Sequence, residues 1–243
     1  MKKVLFIHHH TGLGDHFNCS GMVRYLANQP EYSKCFVVAK QKYLHIVQHM
    51  YDDDDKIEVV VIPSEPWTYE TKFALEALSK IKKHNSDSEV VFYSIGHENY
   101  PWGQPILKTK NPWEIFYDQL GINYDVRTEL FEWPRALKCE AAVYSKLVGD
   151  SDEPYAFVHE DKSRGLAIDR SKIGVNKIIE NPTNESPFLL RKVFEEAAEI
   201  HCIDSSIKCL IDLMPADQIK GKLFLHNVRE YALGALTNNW NIV

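Results

Sequence analysis

Val4-Leu5-Phe6-Ile7 runs directly into His8-His9-His10-Thr11-Gly12-Leu13-Gly14-Asp15-His16. Four apolar residues in a row, ended by a polar glycine-containing turn, read as a short buried strand. Behind the turn, Phe17, Met22, Val23 and Leu26 fall at inward positions of an amphipathic stretch. The segment is therefore strand, loop, helix, and the same rhythm continues outward from it. Phe36–Ala39 and Ile57–Ile62 read as further strands, the latter closed by Pro63, with a short helix from Tyr43 to His49 between them. A helix from Thr68 to Lys83 and a fourth strand from Val90 to Ile95 follow. Strands alternating with helices imply a parallel sheet covered on both faces. Residues 1 to about 100 thus read as a doubly wound, Rossmann-like unit.

The middle of the chain breaks the rhythm. Trp102, Trp113 and Trp133 occur there with prolines at 101, 105, 112 and 134. Pro112 suits a first helical turn and Gly121 a C-terminal cap, which places a helix over Pro112–Leu120. Two uses of it stay open: packing, or an aromatic wall for a sugar acceptor. Arg135–Leu147 reads as a connecting helix and Gly149–Pro154 as a hinge-like linker. The alternation then resumes with strands at Tyr155–His159, Ile200–Ile203, Leu223–His226 and Trp240–Val243, and helices at Leu189–Ala198 and Ser206–Leu213. The expectation is α/β: two Rossmann-like halves, residues 1–148 and 149–243, with parallel sheets facing across a cleft.

Composition narrows the function classes. The chain has 243 residues, 28 Lys plus Arg against 34 Asp plus Glu, and a formal net charge of −6. This mild acidity argues against a nucleic-acid partner. No run approaches the ~18–20 apolar residues of a membrane helix, so no integral membrane segment is expected. Asp52-Asp53-Asp54-Asp55-Lys56 reads as a solvated acidic loop. The five cysteines show no Cys-x-x-Cys pair and sit largely in apolar runs. They read as buried thiols of a reducing compartment, the cytoplasm, or the host cytoplasm for a viral chain. His201-Cys202 with Cys209 fits no common zinc spacing, so no metal ligand and no cofactor is assigned.

Chemistry is expected at the carboxyl ends of the strands. Gly12 and Gly14 let the backbone turn tightly and approach a ligand, and the helix beginning near Asp15 offers free amides. The dinucleotide fingerprint is broken, because Phe17 stands where its third glycine belongs. Asp15 reads either as a helix cap or as a general base, with His16 as the substitute base. In the second half, His159, Asp161 and Arg164 lie in one loop after a strand, and Arg164 suits bidentate capture of phosphate oxygens. Asp204-Ser205-Ser206 opens a helix and offers hydroxyl and amide donors to a diphosphate. Arg229 follows the next strand.

Gly12-Leu13-Gly14-Asp15-His16 with Gly21-x-Val23-Arg24 resembles the first loop of GT-B-type glycosyltransferases, nearest the heptosyltransferase-like group. Ile200–Ser206 is similar to the donor-side strand, turn and helix of that superfamily. The resemblance implies an inverting, metal-independent transfer from a nucleoside-diphosphate sugar to a glycan or other hydroxyl acceptor. It places Asp15 as base, the acceptor on the first half and the donor on the second. A catalytically inactive nucleotide- or glycan-binding protein of the same fold is the alternative. A nicotinamide-dependent oxidoreductase is disfavoured by the broken fingerprint.

Overall fold

The computed structural model describes residues 2–97, 109–229 and 236–243. Trp102 and the prolines at 101 and 105 lie outside them. Contacts divide the chain into two compact units, Met1–Glu132 and Trp133–Val243.

The first unit is built on a four-stranded parallel sheet of β1 (Lys3–His8), β2 (Tyr32–Lys40), β3 (Ile57–Ile62) and β4 (Glu89–Ser94), in the order β3-β2-β1-β4. Its helices are α1 (Leu13–Ala27), α2 (Leu44–Tyr51), α3 (Glu70–His84), α4 (Pro112–Gln119) and α5 (Val126–Glu129). Alternate residues of a strand point to opposite faces. Val4, Phe6, Phe36, Val38 and Ile62 accordingly pack on Ala74, Ala77 and Leu78 of α3. Leu5, Ile7, Cys35 and Val37 fill the other face and are buried.

The expected amphipathic helix is in fact enclosed nearly all round. Most of α1 from His16 to Ala27 is buried, including Arg24. Its guanidinium bonds both carboxylate oxygens of Asp53, at 3.1 and 2.6 Å, and the Met50 carbonyl at 2.7 Å. The acidic loop is therefore not simply solvated; Asp53 supplies the counter-charge of a buried arginine. α4 carries the predicted proline and is capped by Asn111, whose side chain accepts from Glu114 N–H at 2.8 Å. The Tyr117 hydroxyl donates to the Asn18 carbonyl at 3.0 Å and accepts from Met22 N–H at 3.1 Å, fastening α4 to α1.

At Gly21 the backbone of α5 comes so close that a Cβ would lie 2.2 Å from the Val126 carbonyl oxygen. Gly21→Ala is expected to destabilise the first unit by about 1–3 kcal/mol through overpacking. Chemical denaturation measures this, and an unchanged midpoint would show that α5 moves aside freely.

The second unit has a five-stranded parallel sheet in the order β6-β5-β7-β8-β9. Its strands are β5 (Tyr155–His159), β6 (Lys177–Glu180), β7 (Glu199–Ile203), β8 (Lys222–His226) and β9 (Trp240–Ile242). Helices α6 (Leu137–Leu147), α7 (Arg191–Glu196) and α8 (Ser206–Asp212) accompany them. The Leu189–Ala198 helix of the sequence reading divides into a 3₁₀ turn, Pro187–Leu190, and α7. One core joins Val143, Phe157, Ile200, Leu225 and Phe194. Helix α6 contributes Val143 to it, so the segment read as a connector is part of the second core. On the opposite face Val158, Ile168 and Ile203 are covered by Leu166 and Ile173 from the loop after β5.

No helix among the described residues is long and apolar enough to cross a membrane. All five cysteines are free; Cys139 is exposed and the other four are buried.

Candidate active site

Strand order singles out one place at the carboxyl ends of each sheet's strands. In the first sheet, β1 is followed outward by β2 and β3, while β4 returns on the other side of β1. That reversal is a topological switch point, where ligands bind beyond the strand carboxyl ends. The loops after β1 and β4 meet there. The His10 Nε2–H donates to the Gly96 carbonyl at 2.8 Å. Gly96 itself has φ +78°, and a Cβ on it would lie 2.4 Å from the Phe116 ring. Only glycine gives both that backbone and that clearance.

Asp15 stands at this point, in the first turn of α1. Helix α1 begins at Leu13, so Asp15 is not the N-cap; its Oδ2 reaches back to accept from the Gly12 N–H at 3.2 Å. The other oxygen, Oδ1, accepts from the Trp113 indole N–H at 2.9 Å. Trp113 thus makes a contact that neither use weighed for its helix names: its indole N–H orients the carboxylate. Burial raises the proton affinity of Asp15 above that of an ordinary carboxyl, against the lowering effect of His10 and of the two N–H donors. Gly14 is held through its carbonyl, which accepts from the Asn18 amide at 2.8 Å, and Asn18 accepts from Arg127 at 2.7 Å.

His16 sits differently. It is fully buried, its ring edge-on to His9 at 4.7 Å, and burial holds its imidazole well below the usual range. Asp15 and Gly12, with His10, Glu70 and His97, line a cavity of about 410 Å³, to which Trp67 also contributes. Trp67 is 71% exposed, an uncovered indole at the rim. A larger groove of about 610 Å³ lies beside α2 and the first residues of β3, at the amino end of that strand.

Glu70 and His97 are absent from the sequence reading, which gives Trp113 as part of a packing or acceptor-wall helix and not as a partner of Asp15. Glu70 opens α3, and His97 follows β4 just as His8 closes β1. The Glu70 Oε2 bonds the Lys40 ammonium at 2.6 Å. Burial raises the Glu70 carboxyl, but His8, Lys40 and Thr11 around it hold it well below the usual range. Burial brings His97 down to about 3 and His9 down to about 4, so both imidazoles are neutral near pH 7.

The second sheet reverses in the same way, between β5 and β7. Loops after β5, β7 and β8 emerge from adjacent parallel strands, and they carry the second-half residues picked from sequence for the donor; Gly12 and Gly14, the other two donor-binding candidates, lie after β1 in the first unit. His159 has a buried Nδ1 without a hydrogen-bond partner, and burial brings its imidazole down to about 4. Arg164 is exposed and pairs through Nε with Asp161 at 2.9 Å. Arg229 lies near enough to act electrostatically on His159 and Asp161. Ser205 is the N-cap of α8, its hydroxyl accepting from the Lys208 N–H at 3.3 Å, with Ser206 the first helical residue. Asp204 faces the buried Lys208 ammonium at 3.6 Å.

Behind these loops lies a relay that fixes two tautomers. The Asp169 N–H donates to His226 Nδ1 at 3.3 Å, so His226 Nε2 carries the proton toward His201 Nδ1 at 3.0 Å. His201 Nε2–H in turn faces Glu199 at 3.1 Å. The chain is complete with both imidazoles neutral, and burial holds both below the usual histidine range.

No protein-family model and no curated protein matches the chain. Among solved structures, a glycosyl transferase family 9 protein from Veillonella parvula DSM 2008 superimposes with a TM-score of 0.60 at 11% identity, over 100% of this chain and 85% of that one. The chain has a GT-B-type fold. The E. coli heptosyltransferase WaaC with ADP gives a TM-score of 0.46 at 13% identity, over 99% of this chain and 93% of that one. The same enzyme with ADP-2-deoxy-2-fluoro heptose gives 0.45 at 12% identity.

Proposed function

We propose that the protein is a glycosyltransferase that moves a sugar from a nucleoside-diphosphate sugar to an acceptor hydroxyl, with inversion. The observation that carries this reading is Asp15: a carboxylate of raised proton affinity, oriented by two N–H donors, opening into a cavity at a switch point of a GT-B-type fold. Asp15 takes the proton of the acceptor hydroxyl. The oxygen attacks the anomeric carbon from the side opposite the leaving group, and the bond from that carbon to the diphosphate oxygen breaks. The nucleoside diphosphate departs with the bonding electrons.

The first unit supplies the acceptor side and the base. The second supplies donor-binding chemistry through His159, Asp161, Arg164, Asp204, Ser205, Ser206 and Arg229. Arg164, Arg229 and the amides and hydroxyls at the start of α8 neutralise the charge that grows on the diphosphate. Fixed donors of this kind commonly provide the largest catalytic contribution, about 3–4 kcal/mol for one of them. A hard cation is dispensable for the leaving group in this scheme, so added magnesium or manganese is expected to leave turnover unchanged. Free, mostly buried cysteines suit a cytoplasmic setting.

The experiment that tests the donor side is calorimetry with nucleoside diphosphates. Arg164→Ala is expected to weaken binding by about 1.5–3 kcal/mol, the value of a charge-assisted hydrogen bond. Freeing Arg164 from Asp161 costs little, because the pair is exposed. Equal affinities in wild type and variant would remove Arg164 from the site.

A further inference from the structure

At the floor of the first unit's switch point, three potential ligand atoms converge from three elements. They belong to His8 at the end of β1, Glu70 at the start of α3 and His97 after β4, and all lie within 4.8 Å of one another. His8 Nε2 is 3.5 Å and His97 Nε2 3.9 Å from the same Glu70 oxygen, Oε1. Those separations are too long to be good hydrogen bonds. Both ring nitrogens of His8 are buried without a hydrogen-bond partner, and so is Nε2 of His97. Buried polar atoms are ordinarily satisfied, and two orphans aimed at one carboxylate oxygen, Nε2 of His8 and Nε2 of His97, need an explanation.

The surroundings prepare these groups as ligands. His97 Nε2 has no hydrogen-bond partner and lies on the Glu70 side of the ring, so it is available to a ligand there. Lys40 holds the far oxygen of Glu70 at 2.6 Å and so presents Oε1 to the histidines. Thr11 and Glu70 also line the 410 Å³ cavity, which leaves a side open for a further ligand.

We propose that His8, Glu70 and His97 form a site for one borderline divalent cation of the zinc class, with its fourth position open to the cavity. Two imidazoles and a carboxylate select zinc over magnesium or calcium, which prefer oxygen ligands. The two rings stack at 3.9 Å and 15°, and each presents its Nε2 to Glu70 Oε1. The Lys40 charge beside the carboxylate lowers the affinity. The site lies in the first unit and is distinct from the donor-side residues, so it stands whether or not sugar transfer occurs.

The test uses the full chain stripped with EDTA, titrated with zinc against a chromophoric chelator and with cobalt followed by its visible absorption. His45 and His49, one helical turn apart on α2, offer a competing surface pair, and His45→Ala/His49→Ala serves as the control. One equivalent of zinc is expected to bind the wild type and the control alike. His97→Ala and the isosteric Glu70→Gln are each expected to lose tenfold or more in affinity, with the tetrahedral cobalt spectrum lost. Zinc should raise the melting temperature of the wild type and not of these two variants. Absence of stoichiometric zinc binding by the wild type overturns the site. So does binding that survives both substitutions, or that disappears in the His45→Ala/His49→Ala control.

Discussion

Asp15→Asn is expected to lower kcat by about 10²–10⁴ while nucleoside-diphosphate affinity persists. Asparagine keeps the shape of the side chain and removes the proton acceptor. It also brings a structural side effect that the geometry defines. Two donors, Gly12 N–H and Trp113 Nε1–H, point at the two carboxylate oxygens. Asparagine has one acceptor oxygen, so one donor must face an amide NH₂. A stability loss of about 1–3 kcal/mol is expected from that mismatch, and Trp113→Phe on the Asp15→Asn background should recover part of it. Near-normal turnover in Asp15→Asn would show that the carboxylate only closes the first turn of α1. pH gives a second reading of the same residue. The base must be ionised, and burial raises its pKa, so turnover should fall as pH drops through a value above the ordinary carboxylate range. That acid limb should be missing from the residual activity of Asp15→Asn.

A second large effect is expected in the second unit. Asp212, at the last turn of α8, is buried and accepts from the backbone N–H groups of Thr237 and Asn238, each at 3.1 Å, and from the Trp240 indole N–H at 2.9 Å. Asn238 in turn donates to the Ile211 and Met214 carbonyls, at 3.2 and 3.0 Å. Together with the pairing of β9 on β8, this carboxylate ties the final segment to the second sheet. Asp212→Ala leaves its donors buried without an acceptor, and a loss of about 3–5 kcal/mol is expected in the unfolding of the second unit. Asp212→Asn, which retains one acceptor, should fall between the two. A loss below about 1 kcal/mol in the alanine variant would mean that water reaches these donors.

The strands were legible where both faces are covered. Val4–Ile7, Phe36–Ala39 and Tyr155–Val158 are unbroken apolar runs for that reason, and each lies in an observed strand. Lys177–Glu180 escaped notice because it is an edge strand in which Ile179 alone is buried. Helix α1 looked amphipathic because its polar residues, Asn18 and Arg24, are buried with partners rather than exposed. The Gly-x-Gly-Asp loop could be read locally, since its residues are neighbours in the chain. Glu70, His97 and the bond from Trp113 to Asp15 could not. They depend on the packing of α3 on the sheet, the parallel pairing of β1 with β4 and the packing of α4 on α1, which no local pattern encodes. The usable signal was positional: a polar residue just beyond the carboxyl end of a strand, which His97 is.

The most direct measurement is turnover of labelled ADP-, GDP- and UDP-sugars by the purified chain, with and without hydroxyl acceptors, following release of free nucleoside diphosphate. The account predicts release from one nucleotide class, by transfer or by slow hydrolysis, with its rate cut by about 10²–10⁴ in Asp15→Asn. Tight nucleoside-diphosphate binding with no release from any donor, or release undiminished in Asp15→Asn, would contradict it.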